Sequence, residues 1–125
     1  MLPYGQYGGW LNDGRSLFVD GEIALMMAAR ESIEPGRWTD EVQARVDRLD
    51  QDLQGFAESY PDEVWLFCHS MALAAVVIHD KTTGQDHSAT VDAWMMMAKD
   101  RLTHPDTGLM VSSFRTNGDW RDGPE

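Results

Sequence analysis

The feature that most constrains this chain is an alternation between two kinds of helical segment. From about Ser16 to Ile33, apolar residues fall on nearly every side of a helix: Leu17, Phe18, Val19, Ile23, Leu25, Met26 and Met27. A helix that is apolar all round belongs in an interior. Ser16 stands at its N-cap and Pro35-Gly36 closes it. After Thr39, a second N-cap residue, the pattern changes to a single stripe of Val42, Val46, Leu49, Leu53 and Phe56. Asp47, Arg48, Asp50 and Asp52 lie off that stripe, and Glu41 and Arg45 are spaced for an i,i+4 ion pair. This second helix therefore keeps one face in water.

The same two beats recur. Ser59-Tyr-Pro-Asp-Glu63 reads as the start of a third helix, with Pro61 in its first turn, running from Val64 to about His79 and again mostly apolar. Gly84 to Ser88 is a polar turn. A fourth helix from about Ala89 to Leu102 carries Val91, Trp94, Met95, Ala98 and Leu102 on one stripe, and His104-Pro105 stops it. Leu109 to Phe114 is short, apolar and without helical spacing, so it is expected to be extended. The glycine- and aromatic-rich start up to Trp10, the turn at Asn12-Asp13-Gly14 and the residues after Asn117 read as loop.

The two apolar helices begin roughly 45 residues apart, a period typical of repeated helical hairpins. One hairpin cannot cover its own apolar helix, so such units stack, and stacking in a ring gives inner helices at the centre and outer helices in solvent. The expected fold is all-α: two antiparallel helical hairpins in one domain over residues 1–125, forming part of an (α/α) barrel. Two hairpins leave the inner pair partly bare, so completion is expected from more chain or from other subunits, the latter a homo-oligomer.

Composition narrows the partners. A formal charge of −11 repels nucleic acid and anionic lipid alike. The longest apolar run, Met71 to Ile78, is far short of the ~20 residues of a membrane span. The first ten residues show no signal-type pattern, and Cys68 is the only cysteine, so no disulfide forms within the chain. The compartment is left open, leaning toward the reducing cytoplasm.

In a ring of this kind the centre is reached from the N-terminal ends of the inner helices. Asp13, Asp20 and Glu22 surround the first of these, and Ser59, Tyr60, Asp62, Glu63, Cys68 and His69 open the second. A carboxylate in an apolar setting can serve as a general acid or base near neutral pH. Asp20 and Glu22 sit about 200° apart around a helix, so at most one points into a given pocket and the other meets an arginine or water. Cys68 either packs as a small hydrophobe or works with a base from another helix, because His69 is turned about 100° from it. Cys68, Glu22 and Asp20 are the catalytic candidates, and Trp10, Asp13, Tyr60, Trp65 and His69 the substrate contacts. The histidines lack metal-ligand spacing, and there is no phosphate-cradling loop or dinucleotide fingerprint, so no cofactor is expected. Met26-Met27 and Met95-Met96-Met97 read as core filler, and methionine and tryptophan on inner walls suit an apolar ligand.

The stretches from Trp10 to Ala24 (WLNDGRSLFVDGEIA), from Glu58 to Cys68 (ESYPDEVWLFC) and from Thr107 to Phe114 (TGLMVSSF) resemble proteins with a linalool dehydratase/isomerase-like domain. That resemblance implies an (α/α)6 barrel and cofactor-free dehydration, hydration or isomerisation of a monoterpene alcohol by acid–base residues that include cysteines. Cys68 matches a family active-site cysteine; Ser59 occupies the stretch where a second would fall, and Glu22 stands where an acid–base histidine is expected. These departures turn the expected substrate from linalool itself toward another small apolar, terpenoid-like alcohol. Two other readings stay open. One is an (α/α) barrel acting on carbohydrate, with carboxylates from Asp13, Asp62 or Glu63 and with Trp10 or Tyr60 stacked on a sugar. The other is a non-catalytic helical module that oligomerises through its inner face.

Overall fold

The computed structural model describes residues 9–12 and 14–123. Asp13, one of the expected substrate contacts, lies outside them. Among the described residues the chain is mainly helical: α1 (Leu17–Ile33), α2 (Thr39–Asp52), α3 (Leu66–Thr83) and α4 (Ser88–Leu102), with a two-stranded antiparallel ribbon of β1 (Val64–Trp65) and β2 (Ser113–Phe114). No helix in it is long and apolar enough to cross a membrane.

Helix α1 begins where its sequence places it. The Ser16 hydroxyl accepts from the Val19 amide and donates to the Ser59 carbonyl at 2.6 Å, so one residue caps the helix and ties it to a segment 43 positions away. At the other end Glu31 turns back under the next connection. Its carboxylate accepts from the amides of Gly36, Arg37 and Trp38 and from the Thr39 hydroxyl, satisfying the loop donors and the cap amide that lead into α2. These bonds, with that from Gly36 first, hold Glu31 below its ordinary pKa. Thr39 is accordingly the first residue of α2, with Trp38 at the cap, and its hydroxyl serves Glu31 instead of its own helix.

Helices α1 and α3 run parallel and meet on small residues. Gly21 lies so close to α3 that a Cβ there would stand 3.3 Å from both the Ala72 nitrogen and the Cys68 oxygen. Ala24 and Ala28 of α1 and Ala72 and Ala75 of α3 continue the buried seam, and Ala28 and Glu31 reach His79 and Thr83 at its far end. Helix α2 runs back along α1, burying Val42, Val46 and Leu49. Helix α4 approaches the others closely only at isolated points, and Trp94, Ala98 and Leu102 are the residues it buries. Asp80 fixes the α3–α4 elbow by accepting from the His87 amide at 2.7 Å and from its ring Nδ1 at 2.6 Å, while Gly84 takes the left-handed conformation that ends α3.

Several expectations are corrected. Ser59 to Glu63 is not helical: Pro61 is followed by Asp62 at φ +60°, and the Glu63 amide donates to the Tyr60 carbonyl at 2.9 Å, closing a tight turn. The chain then pairs with β2 (Val64 against Phe114, Trp65 against Ser113), so α3 starts only at Leu66 and runs on to Thr83. The extended reading of Leu109 to Phe114 holds for its last two residues, with an isolated bridge from Met110 to Thr103. The all-round apolar character of α1 does not bury all of it, since Met26 is 63% and Ile33 79% exposed. Met95 and Met96, read as stripe and filler, are exposed too; only Met27 and Met97 of those two runs pack against the core. Arg45 turns across to Asp20 at 3.0 Å instead of pairing with Glu41.

Candidate functional site

The N-terminal ends of α1 and α3 lie side by side, and the turn at 59–63 packs against both. The Leu17 amide donates to the Glu58 carbonyl, Ser16 donates to Ser59, and the Ser59 amide donates to the Glu63 carbonyl at 2.8 Å. On this frame the structure brings the Ser59 hydroxyl against the start of α3, the helix that carries Cys68. Cys68 is 3% exposed and lies in the first turn of α3, just after Trp65, whose amide donates to the Ser59 hydroxyl oxygen at 3.2 Å. Burial pushes the Cys68 thiol above its ordinary pKa, and Glu22 pushes it the same way. The sulfur therefore carries its proton at neutral pH. That is the state of a proton donor, not of a thiolate nucleophile.

Asp20 goes elsewhere, as its angular offset from Glu22 requires. It is buried against α2, with Arg45 at 3.0 Å and Arg48 at 3.7 Å. Removing one partner of a buried ion pair strands the other charge. Asp20→Asn, which removes the buried carboxylate's charge, is expected to lower stability in a urea titration by more than the same change at an exposed aspartate.

The four ring-bearing candidates lie in four different surroundings. Tyr60 stacks on Phe18 with ring centroids 5.5 Å apart, which places it on the α1 side of the site. Trp65, at the cap of α3, donates its ring Nε1 to Glu63 at 3.2 Å. Trp10 lies under the Arg15 guanidinium, 5.0 Å from the ring centroid, and its buried Nε1 has no hydrogen-bond partner. His69 is fully buried among Phe56, Trp94 and Phe114. Its Nε2 accepts from the Ala57 amide and its Nδ1 donates to the Trp65 carbonyl, each at 3.1 Å, so both nitrogens serve the backbone around the site.

Sequence reasoning did not assign the 113–122 segment a part here. Arg115 pairs with Asp62, Arg121 pairs with Glu63 at 2.8 Å and also donates to the Asp62 carbonyl, and the Leu66 amide donates to the Ser112 carbonyl. This clasp holds the turn that carries Ser59. It also engages both Asp62 and Glu63, the carboxylates a carbohydrate-processing site would draw on. The opposite charges of Asp62-Glu63 and of Arg115 and Arg121 were the available signal, but more than 50 residues separate Arg115 from Asp62. Among the described residues, no group of three or more His, Cys, Asp or Glu side chains is placed to hold a metal ion. No protein-family model matches the chain, and no curated protein matches it in sequence.

Proposed function

We propose that this chain is part of an (α/α)6-barrel enzyme of the linalool dehydratase/isomerase-like kind, moving protons on a small apolar, terpenoid-like alcohol or alkene without a cofactor. The observation that carries this reading is the burial of the Cys68 thiol at the N-terminal end of α3, which, with the charge of Glu22, holds its pKa above the ordinary value. Dehydration of an alcohol needs one proton delivered to the departing hydroxyl, which leaves as water, and one removed from a neighbouring carbon. Cys68 supplies the first and Glu22 receives the second; hydration runs the same transfers in reverse. Apolar surroundings favour such a substrate over a sugar, with Phe18 and Tyr60 stacked nearby and Cys68 itself in the core. Support for the ring comes from the parallel α1–α3 pair backed by α2 and from the exposed Met26, Ile33 and Phe67, side chains that further hairpins of a barrel would cover.

The test is turnover of a panel of allylic alcohols and alkenes in deuterium oxide, with products and incorporated label read by gas chromatography and mass spectrometry. Cys68→Ala and Glu22→Gln are each expected to lower turnover at least about 100-fold, the scale of a lost acid–base group. Unchanged turnover in Cys68→Ala would remove Cys68 from the reaction.

A further inference from the structure

The clasp at 113–122 turns at Asn117-Gly118, and the polar groups around that peptide are placed as a reaction there would need them. Gly118 is buried at φ +86°, and a Cβ would run into the Arg101 guanidinium, so the position requires glycine. Asn117 is exposed, and its side chain folds back over the next peptide. Its Oδ1 accepts from the Asp119 amide at 3.0 Å and its Nδ2 donates to the Asp119 carboxylate at 2.8 Å. Arg101, resting on the Phe56 ring, donates to the main-chain carbonyl of Asn117. The Gly118 N–H donates to the Arg115 carbonyl at 2.8 Å, which polarises it.

We propose that Asn117-Gly118 is a self-modification site, where the folded turn promotes conversion of Asn117 to aspartate or isoaspartate. The Gly118 nitrogen attacks Asn117 Cγ. An N–Cγ bond forms, the Cγ–Nδ2 bond breaks, and the proton lost by Gly118 leaves with the amide as ammonia. Water then opens the cyclic imide at either carbonyl. One ammonia is released, one water is consumed and one carboxylate is gained, with no oxidant or reductant. Each neighbour answers a charge that develops on this path. The Arg101 guanidinium draws electrons from the peptide whose nitrogen must lose its proton, and its bond strengthens as that peptide turns negative. The Asp119 N–H faces the oxygen that becomes negative when Cγ is attacked, and the Asp119 carboxylate holds the departing nitrogen. Opening to isoaspartate adds one carbon to the main chain between Arg115 and Arg121, the residues that grip Asp62 and Glu63. The modification therefore loosens the clasp on the 59–63 turn.

Peptide mass spectrometry of the full chain, aged in mildly alkaline buffer, reads the exchange of nitrogen for oxygen at this position. The chain has two asparagines, and Asn12, which precedes aspartate, is the internal reference. Asn117 is expected to convert about tenfold faster in the folded protein than in the same chain in urea, the scale of one charge-assisted hydrogen bond gained along the path. Asn12 is expected to show no such gain, and Arg101→Met is expected to remove it at Asn117. A slower reaction in the folded protein than in urea would overturn the proposal, because the turn would then protect the amide. An unchanged rate in an Arg101→Met protein with native circular dichroism would overturn the part given to Arg101. Should that variant misfold, the wild-type comparison in urea decides alone. Hydrogen exchange checks the consequence. The 59–65 stretch of the isoaspartate form, separated by anion exchange, is expected to exchange faster than in unaged protein, and equal exchange would refute the loosening.

Discussion

Lowering the pH from 6.5 to about 4 is expected to remove about 3 kcal/mol of stability through His69 alone. Burial holds this imidazole's pKa down to about 4, against the hydrogen bond to the Trp65 carbonyl, which favours the proton. The unfolded chain takes up a proton near pH 6.5 while the folded chain resists it. The contribution is therefore fully present above 6.5 and is lost as the pH falls toward 4. A charged ring would also have to donate from Nε2, which now faces the Ala57 N–H and could only repel it. Urea titrations across this range in the wild type and in His69→Gln check the prediction. Subtracting the two pH profiles cancels the carboxylates common to both. The wild type is expected to show the steeper fall, and parallel profiles would mean that His69 is not the group responsible.

The second large effect concerns α4. Trp94 stacks on His69 at 5.1 Å and meets the edge of Phe56 at 6.2 Å, and it is the largest side chain that α4 buries. With Ala98 and Leu102 it forms the face by which α4 joins the core. Trp94→Ala is expected to cost about 4 kcal/mol, by loss of apolar burial and by the cavity it leaves. Trp94→Phe is expected to cost only roughly 1–2 kcal/mol. The indole Nε1 is buried without a hydrogen-bond partner among the described residues, so replacing it breaks no bond there. Chemical denaturation of the two variants measures the gap between them. Equal, large losses would mean that the indole nitrogen does have a partner.

The helices were legible in the sequence because each rests on local spacing. Ser16 caps α1, the Val42–Val46–Leu49 stripe is the buried face of α2, and Trp94, Ala98 and Leu102 are that of α4. The turn and strand at 59–65 were not legible. Pro61 suits either the first turn of a helix or a tight turn, and the choice is made by β2, nearly 50 residues later, through Val64 against Phe114. Exposure of Met26, Met95 and Met96 was hidden for a related reason: composition marks a helix as apolar but does not say how many neighbours it has. At the site, the angular offset of Asp20 from Glu22 allowed for an arginine partner, and Asp20 meets two of them on α2. The approach of Ser59 to the start of α3 lay outside any helical period, since it depends on the turn folding back over that helix end.

The proposed chemistry turns on the protonation state of one sulfur. Thiolate absorbance followed through a pH titration of the wild-type protein, with Cys68→Ala as the blank, tests it most directly. The midpoint is expected above that of an ordinary cysteine thiol, and Glu22→Gln is expected to lower it because the carboxylate is one of the groups raising it. A midpoint below the ordinary thiol value, unmoved by Glu22→Gln, would mean a thiolate at neutral pH and would contradict the proton-donor site.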